Sequence, residues 1–222
     1  MAIDNFDLVK SYIIESDPGF DSDDDKYYTI EVIIRRKDNP KMKGDQHTIN
    51  VYYINKTSDL DNLKNDIINM CLVFNARAYI SVNHKSYEQV TKDALVVLAN
   101  RIANNDYKKP YSIFQSCSSK YVDSSCKRWV IDCDKEDAAI LNLTIDEFTD
   151  KIISVIDSGI PNDIKVLKVV PTVTGKHIIC RPFNVVEFEK DLLLNGMVTR
   201  VFGEPIIGRD SIKKTHLTLL YF

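Results

Sequence analysis

Arg128-Trp129-Val130-Ile131-Asp132-Cys133-Asp134 and Thr174-Gly175-Lys176-His177-Ile178-Ile179 are the two stretches on which the fold turns. The first is an apolar run bounded by polar turn residues, which predicts a strand. Strand side chains alternate faces, so Trp129, Ile131 and Cys133 point one way and Val130, Asp132 and Asp134 the other. Two carboxylates on one strand face repel each other unless a cation lies between them. Hard divalent ions with oxygen ligands, Mg²⁺ above all, suit such a pair. The second stretch predicts another strand, opened by a glycine turn. On it His177, Ile179 and Arg181 share one face, and Ile178 and Cys180 the other.

The elements around these stretches predict that the two strands meet. Thr144-Ile145-Asp146-Glu147 has the form of a capping box, and Phe148, Ile152, Val155 and Ile156 keep helical spacing after it. Strands are expected over 164–170 and 175–181, a short helix over 186–194, and a further strand within 197–207. The order β-α-β-β-α-β is the split βαβ, or ferredoxin-like, arrangement. There the third strand lies antiparallel beside the first, which brings Asp132, Asp134 and His177 to the open face of one sheet.

A hydrophobic strand ending in Val-Ile-Asp-Cys-Asp, followed by a strand opening Thr-Gly-Lys-His, resembles the archaeo-eukaryotic primase and primase-polymerase superfamily. The resemblance covers roughly residues 75–222 in the order of its elements. It implies a template-dependent nucleotidyltransferase in DNA replication, with two divalent ions, Mg²⁺ or Mn²⁺, held by Asp132 and Asp134. His177 would help to hold the incoming nucleotide's phosphates. The family's third acidic motif has no match on the last strand, 215–222, which contains no carboxylate. Asp210 just before it is the best substitute as a metal ligand. The partners implied are nucleoside triphosphates, a single-stranded template and a helicase or other replication protein.

Lys176 and Arg181 are candidate phosphate contacts, since lysine binds phosphate as a point charge and arginine in bidentate fashion. His84 and Lys85 are others, because Asn83-His84-Lys85-Ser86 stands where a strand turns into a helix, and helix N-termini favour anions. The bland reading of that stretch is a plain cap by Ser86. Arg77 is a weaker candidate of the same kind. Cys117, Cys126 and Cys133 match no common zinc spacing and read as structural thiols. His216-Leu217-Thr218 is one half of a paired H-x-T phosphoesterase signature, with no second half. A catalytically decayed accessory protein that binds nucleotide or nucleic acid is the other alternative.

The N-terminal half reads as a separate α/β lobe. Residues 1–26 form a short amphipathic segment and an acidic loop, Asp21 to Asp25. The loop lacks the glycine and glutamate of a calcium-binding loop and is expected to be solvated. Two strands, 27–36 and 48–55, form a hairpin, followed by a helix over 58–74, a strand over 76–82 and a helix from Ser86 to about Asn104. The irregular region 105–127 suggests a division into a lobe over 27–115 and an RRM-like lobe over 116–222. The expected class is α+β.

A net charge of −3 gives no global basic field, so any nucleic-acid binding must use a local groove. No apolar run approaches the ~20 residues of a membrane span. Five cysteines, an odd number, point to a reducing compartment and a cytoplasmic setting. The richness in Asn, Lys, Ile and Asp fits an AT-rich genome such as a phage's, which would place the protein in host cytoplasm.

Overall fold

The computed structural model describes residues 2–121, 123, 126–157, 165–198, 204–208, 211–213 and 217–222. It is an α+β protein built on two antiparallel sheets. The first half comprises α1 (Phe6–Ser16), β1 (Lys26–Arg35), β2 (Gln46–Ile54), α2 (Thr57–Phe74), β3 (Arg77–Ser81), β4 (Lys85–Ser86), α3 (Tyr87–Ala103) and α4 (Ile113–Lys120). The second half comprises β5 (Trp129–Asp134), α5 (Lys135–Ile140), α6 (Ile145–Asp157), β6 (Val166–Pro171), β7 (Gly175–Cys180), α7 (Val185–Leu194), β8 (Ile212–Lys213) and β9 (Leu217–Tyr221).

The second sheet runs β6-β7-β5-β8, with every pairing antiparallel. This is the strand order of the split βαβ arrangement, with the third strand filling the gap beside the first. Period-two alternation sorts its side chains as expected. Trp129, Ile131, Cys133, Ile178 and Cys180 join Phe148, Ile152, Phe188 and Leu192 of α6 and α7 in one buried cluster. The capping box forms, with the Glu147 N–H donating to Thr144 Oγ1 and the Thr144 N–H to the Glu147 carboxylate. The fourth strand differs from expectation. Within 197–207 the described residues show only an isolated Val198–Pro205 bridge, and the strand beside β5 is Ile212–Lys213.

The first sheet runs β2-β1-β3-β9, with β4 attached to β1. The last strand therefore leaves the second sheet and pairs with β3, so a boundary at 115/116 does not hold for residues 217–222. Phe6, Val9, Tyr12 and Ile13 of α1 are buried in the main core, together with Val130, Val170 and Ile179 from the inner face of the second sheet. The Asn5 amide donates to both the Pro171 and Leu219 carbonyls, tying β6 to β9.

Two local readings need correction. The acidic loop is not merely solvated: Asp21 accepts from the N–H and hydroxyl of Thr57 at the start of α2, and Asp25 from the Glu88 N–H and Ser86 hydroxyl at the start of α3. Helix α4 lies in the region expected to be irregular.

Candidate active-site cleft

The site begins with a register. Asp132 of β5 stands directly opposite His177 of β7, and Asp134 opposite Gly175. The side chains of paired residues share a face, so the imidazole and the carboxylate meet, with Nε2 of His177 3.5 Å from Oδ1 of Asp132. Gly175 makes this approach possible. A Cβ there would lie 1.9 Å from the Cys133 carbonyl oxygen, so any larger residue would push β7 off β5.

This face forms one wall of a cleft of about 380 Å³ between the two sheets. Val130, Asp132, His177 and Lys213 line it from the second sheet, and Glu31, Ile33, Arg35, Tyr79 and Leu217 from the first. An adjoining compartment adds Asp134, Thr172, Thr174, Lys37 and Arg77. The three principal residues read from sequence are thus brought together in one cleft.

Both sides of the cleft carry mixed charge: Asp132 and Asp134 with Lys213 on the second sheet, and Arg35 and Lys37 with Glu31 on the side of the first. Burial pushes the His177 imidazole down to about 4; Asp134 opposes the shift and Arg35 adds to it. At neutral pH His177 is therefore uncharged and can donate one hydrogen bond. Its Nδ1 lies 3.1 Å from the Thr218 hydroxyl of β9. Burial, and then the charges of Asp134 and Asp132, push the Asp137 carboxyl of α5 up. Across the cleft, Arg35 donates to the Tyr79 hydroxyl at 2.9 Å, and among the described residues no carboxylate pairs with Arg35 or Lys37, nor with Lys213 on the near side. Arg77 differs: its guanidinium grips Asp38 at 2.7 and 2.5 Å and lies over the Phe222 ring. It is a structural cation.

The other residues singled out from sequence stand elsewhere. Lys176 follows the alternation to the opposite face and pairs with Asp146 of α6. Arg181 lies beyond the end of β7, four residues from His177, and does not line the cleft. His84 is buried between Asp17 and Asp123, at 2.7 and 3.2 Å. Lys85 is buried with its ammonium on the Ser118 carbonyl at 2.6 Å. Neither lines the cleft, and Ser86 caps α3 by accepting from the Gln89 N–H, which favours the bland reading of that stretch. Asp210 and His216 lie outside the described residues. Arg35, Lys37 and Lys213 carried no motif. The signal that could have found Arg35 is its i, i+2 spacing with Ile33 on a strand whose other face is apolar; Lys37 follows in the turn just beyond that strand.

Among the described residues, no group of three His, Cys, Asp or Glu side chains is arranged to hold a metal ion, and no helix is long and apolar enough to cross a membrane. No family model, no curated protein and no solved structure matches the chain.

Proposed function

We propose that the protein is a metal-dependent nucleotidyltransferase of the primase-polymerase type. The observation that carries this reading is the apposition of Asp132, Asp134 and His177 on one sheet face, against a wall bearing Arg35 and Lys37.

The donor set fits a hard divalent ion. Asp132 and Asp134 offer only oxygen, the donor such an ion prefers. Mg²⁺ is commonly held by one or two carboxylates together with substrate phosphates, so a pair without a third protein ligand suits an ion shared with a nucleotide. When bound, the ion would supply charge stabilisation for an in-line displacement at phosphorus.

The remaining work falls to the chain's own residues. Neutral His177 donates to a phosphate oxygen without competing for the metal as a cation. Arg35 and Lys37 from the opposite wall, and Lys213 from the strand beside Asp132, neutralise the rest of the phosphate chain, worth most where water is partly excluded. Tyr79, fixed by Arg35, and the apolar Ile33 and Leu217 give a base or sugar a surface to lie on.

The test is incorporation of labelled nucleotide on primed and unprimed templates with Mn²⁺ or Mg²⁺. Asp132→Asn/Asp134→Asn should abolish both incorporation and calorimetric metal binding, and His177→Ala should weaken nucleotide use more than template binding. Failure to bind either nucleotide or metal would end this reading. The sequence of residues 215–222, which holds no carboxylate where the resemblance places a third one, favours one alternative, a decayed polymerase that binds nucleotide without turnover. Nucleotide binding dependent on Asp132 and His177, with no incorporation on any template, would select it.

A further inference from the structure

We infer that the β1–β2 hairpin is a contact for single-stranded nucleic acid, gripping the phosphate backbone and leading the strand to the carboxylates. The inference extends the nucleotidyl-transfer reading by naming the surface that holds the template, and it is tested without nucleotide or metal.

Residues 35–47, Arg-Arg-Lys-Asp-Asn-Pro-Lys-Met-Lys-Gly-Asp-Gln-His, carry five Lys or Arg against two Asp in a chain whose net charge is −3. The two acids do not neutralise the hairpin. Asp38 is committed to Arg77 by both carboxylate oxygens. Asp45 meets Arg36 only at 3.9 Å, with both side chains largely in solvent, an arrangement of little net energy. Arg36, Lys37, Lys41 and Lys43 all reach solvent, and among the described residues no carboxylate pairs with Lys37, Lys41 or Lys43.

The hairpin is also anchored. The Arg36 N–H donates to the Asp45 carbonyl, the Met42 N–H to the Asn39 carbonyl, and Gly44 takes the positive φ of 87° that closes the turn. The Asn39 side-chain amide donates to the Asn75 carbonyl, and the Asn75 side-chain amide to the Asp38 carbonyl, which pins the loop to the end of α2. The cations are therefore displayed from a fixed base.

Their direction identifies the partner. Arg35 and Lys37, at the root of the hairpin, line the same compartment as Asp132 and Asp134. Positive charge from Lys41, Lys43, Arg36, Lys37 and Arg35 thus runs from the exposed tip to the compartment of the carboxylates, with Asp45 beside it largely in solvent and Glu31 farther along the cleft. The cleft itself is a slot between two sheets, with Tyr79, Ile33, Leu217 and Leu219 along it. Basic residues that follow a backbone beside an aromatic surface are the pattern for single strands. A duplex would have to open before its bases could enter such a slot.

The experiment is fluorescence anisotropy with a labelled oligothymidylate over a salt series, with neither metal nor nucleotide present. Each phosphate contact on a single strand contributes about 0.7 to the slope of log K against log salt. Lys41→Gln/Lys43→Gln should therefore lower the slope by about 1.4 and weaken oligothymidylate and oligoadenylate alike. Both residues lie on the hairpin surface, so the fold should survive, and unchanged circular dichroism would verify this. Asp132→Asn/Asp134→Asn should bind the strand at least as tightly as wild type. An unchanged slope in the lysine variant, no binding by wild type at low salt, or tighter binding of duplex than of single strand would each overturn the inference. If wild type never incorporates nucleotide but the lysine variant loses slope, the active-site reading fails and the hairpin inference stands.

Discussion

At Gly175 the two strands of the candidate site come so close that one methyl group decides their register. A Cβ at this position would meet backbone, the Cys133 carbonyl, which cannot swing aside as a side chain would. Gly175→Ala should cost about 1–3 kcal/mol by overpacking, read by denaturant unfolding, and should weaken nucleotide binding more than stability alone predicts. An alanine variant as stable as wild type would mean that β5 and β7 can part freely. Lys85 gives a second prediction at this scale. Burial pulls its ammonium down to about 8 from its ordinary 10.5. At this group the unfolded chain then binds more protons between these values, so Lys85 contributes stability that rises with pH from 8 towards 10.5 and is lost as pH falls through 8. Burial pushes the Cys71, Cys133 and Cys180 thiols up, which gives a contribution of opposite sign in the same window, so the Lys85 effect is read as a difference between proteins. Lys85→Met should make the slope of stability against pH more negative than in wild type between pH 8 and about 9.5, below the ordinary range of tyrosine. An identical slope in the two proteins would show that Lys85 does not titrate there. Residues on paired strands were the legible part of the site, because a period of two and a known strand order place Asp132 and His177 together. The same period puts Lys176 on the far face, whatever its charge. Arg35 and Lys37 were hidden because they come from the other sheet, and local pattern does not encode how two sheets face each other.

Elements show the same division between local and distant causes. Capping is local in effect but not in sequence: Asp25 lies 63 residues from the Glu88 N–H it accepts. Its loop therefore looks like a run of solvated acids until α3 is set beside it. Asp25→Ala should cost about 0.5–2 kcal/mol, the usual worth of a cap, and should accelerate amide exchange in the first turn of α3. Exchange unchanged there would leave Ser86 as the whole cap. Helix α3 also limits what periodicity can say. Its spacing predicts Tyr87, Val90, Ala94, Val97, Leu98 and Ile102 as a core face, yet only Val90 is buried, while Val97 and Ile102 are 40% and 50% exposed. Periodicity establishes that a helix forms; a neighbour must exist before its apolar side is covered. In α6 the neighbour is the second sheet, and the full expected stripe is buried.

Over the whole molecule, the chain's ends close the structure. Strand β9 joins the first sheet after the second is complete, and Ile3 exchanges backbone bonds with Phe222. Sequence order made the last strand look like part of the second lobe, because the only cue was its position after β8. The two lobes consequently share a core, with Val130, Val170 and Ile179 buried among residues of α1, α2 and β3. A shared core makes independent unfolding costly, since separating the lobes would expose apolar surface on both. The protein should therefore unfold in one transition. Trp129, the single tryptophan, sits in the cluster formed by the second sheet, α6 and α7, so its fluorescence reports that lobe alone. Circular dichroism reports both lobes, and the two midpoints in urea should coincide. Asn5→Ala supplies the counter-case. It removes the amide that joins the Pro171 and Leu219 carbonyls, at a cost of about 1–3 kcal/mol, in a side chain buried at the junction. The coincident transition should move to lower urea, and any splitting should begin with this variant. Two separated midpoints in the wild type would show that the cleft lies between independently stable bodies, and that closure of one on the other, not a fixed apposition, brings Arg35 to Asp132.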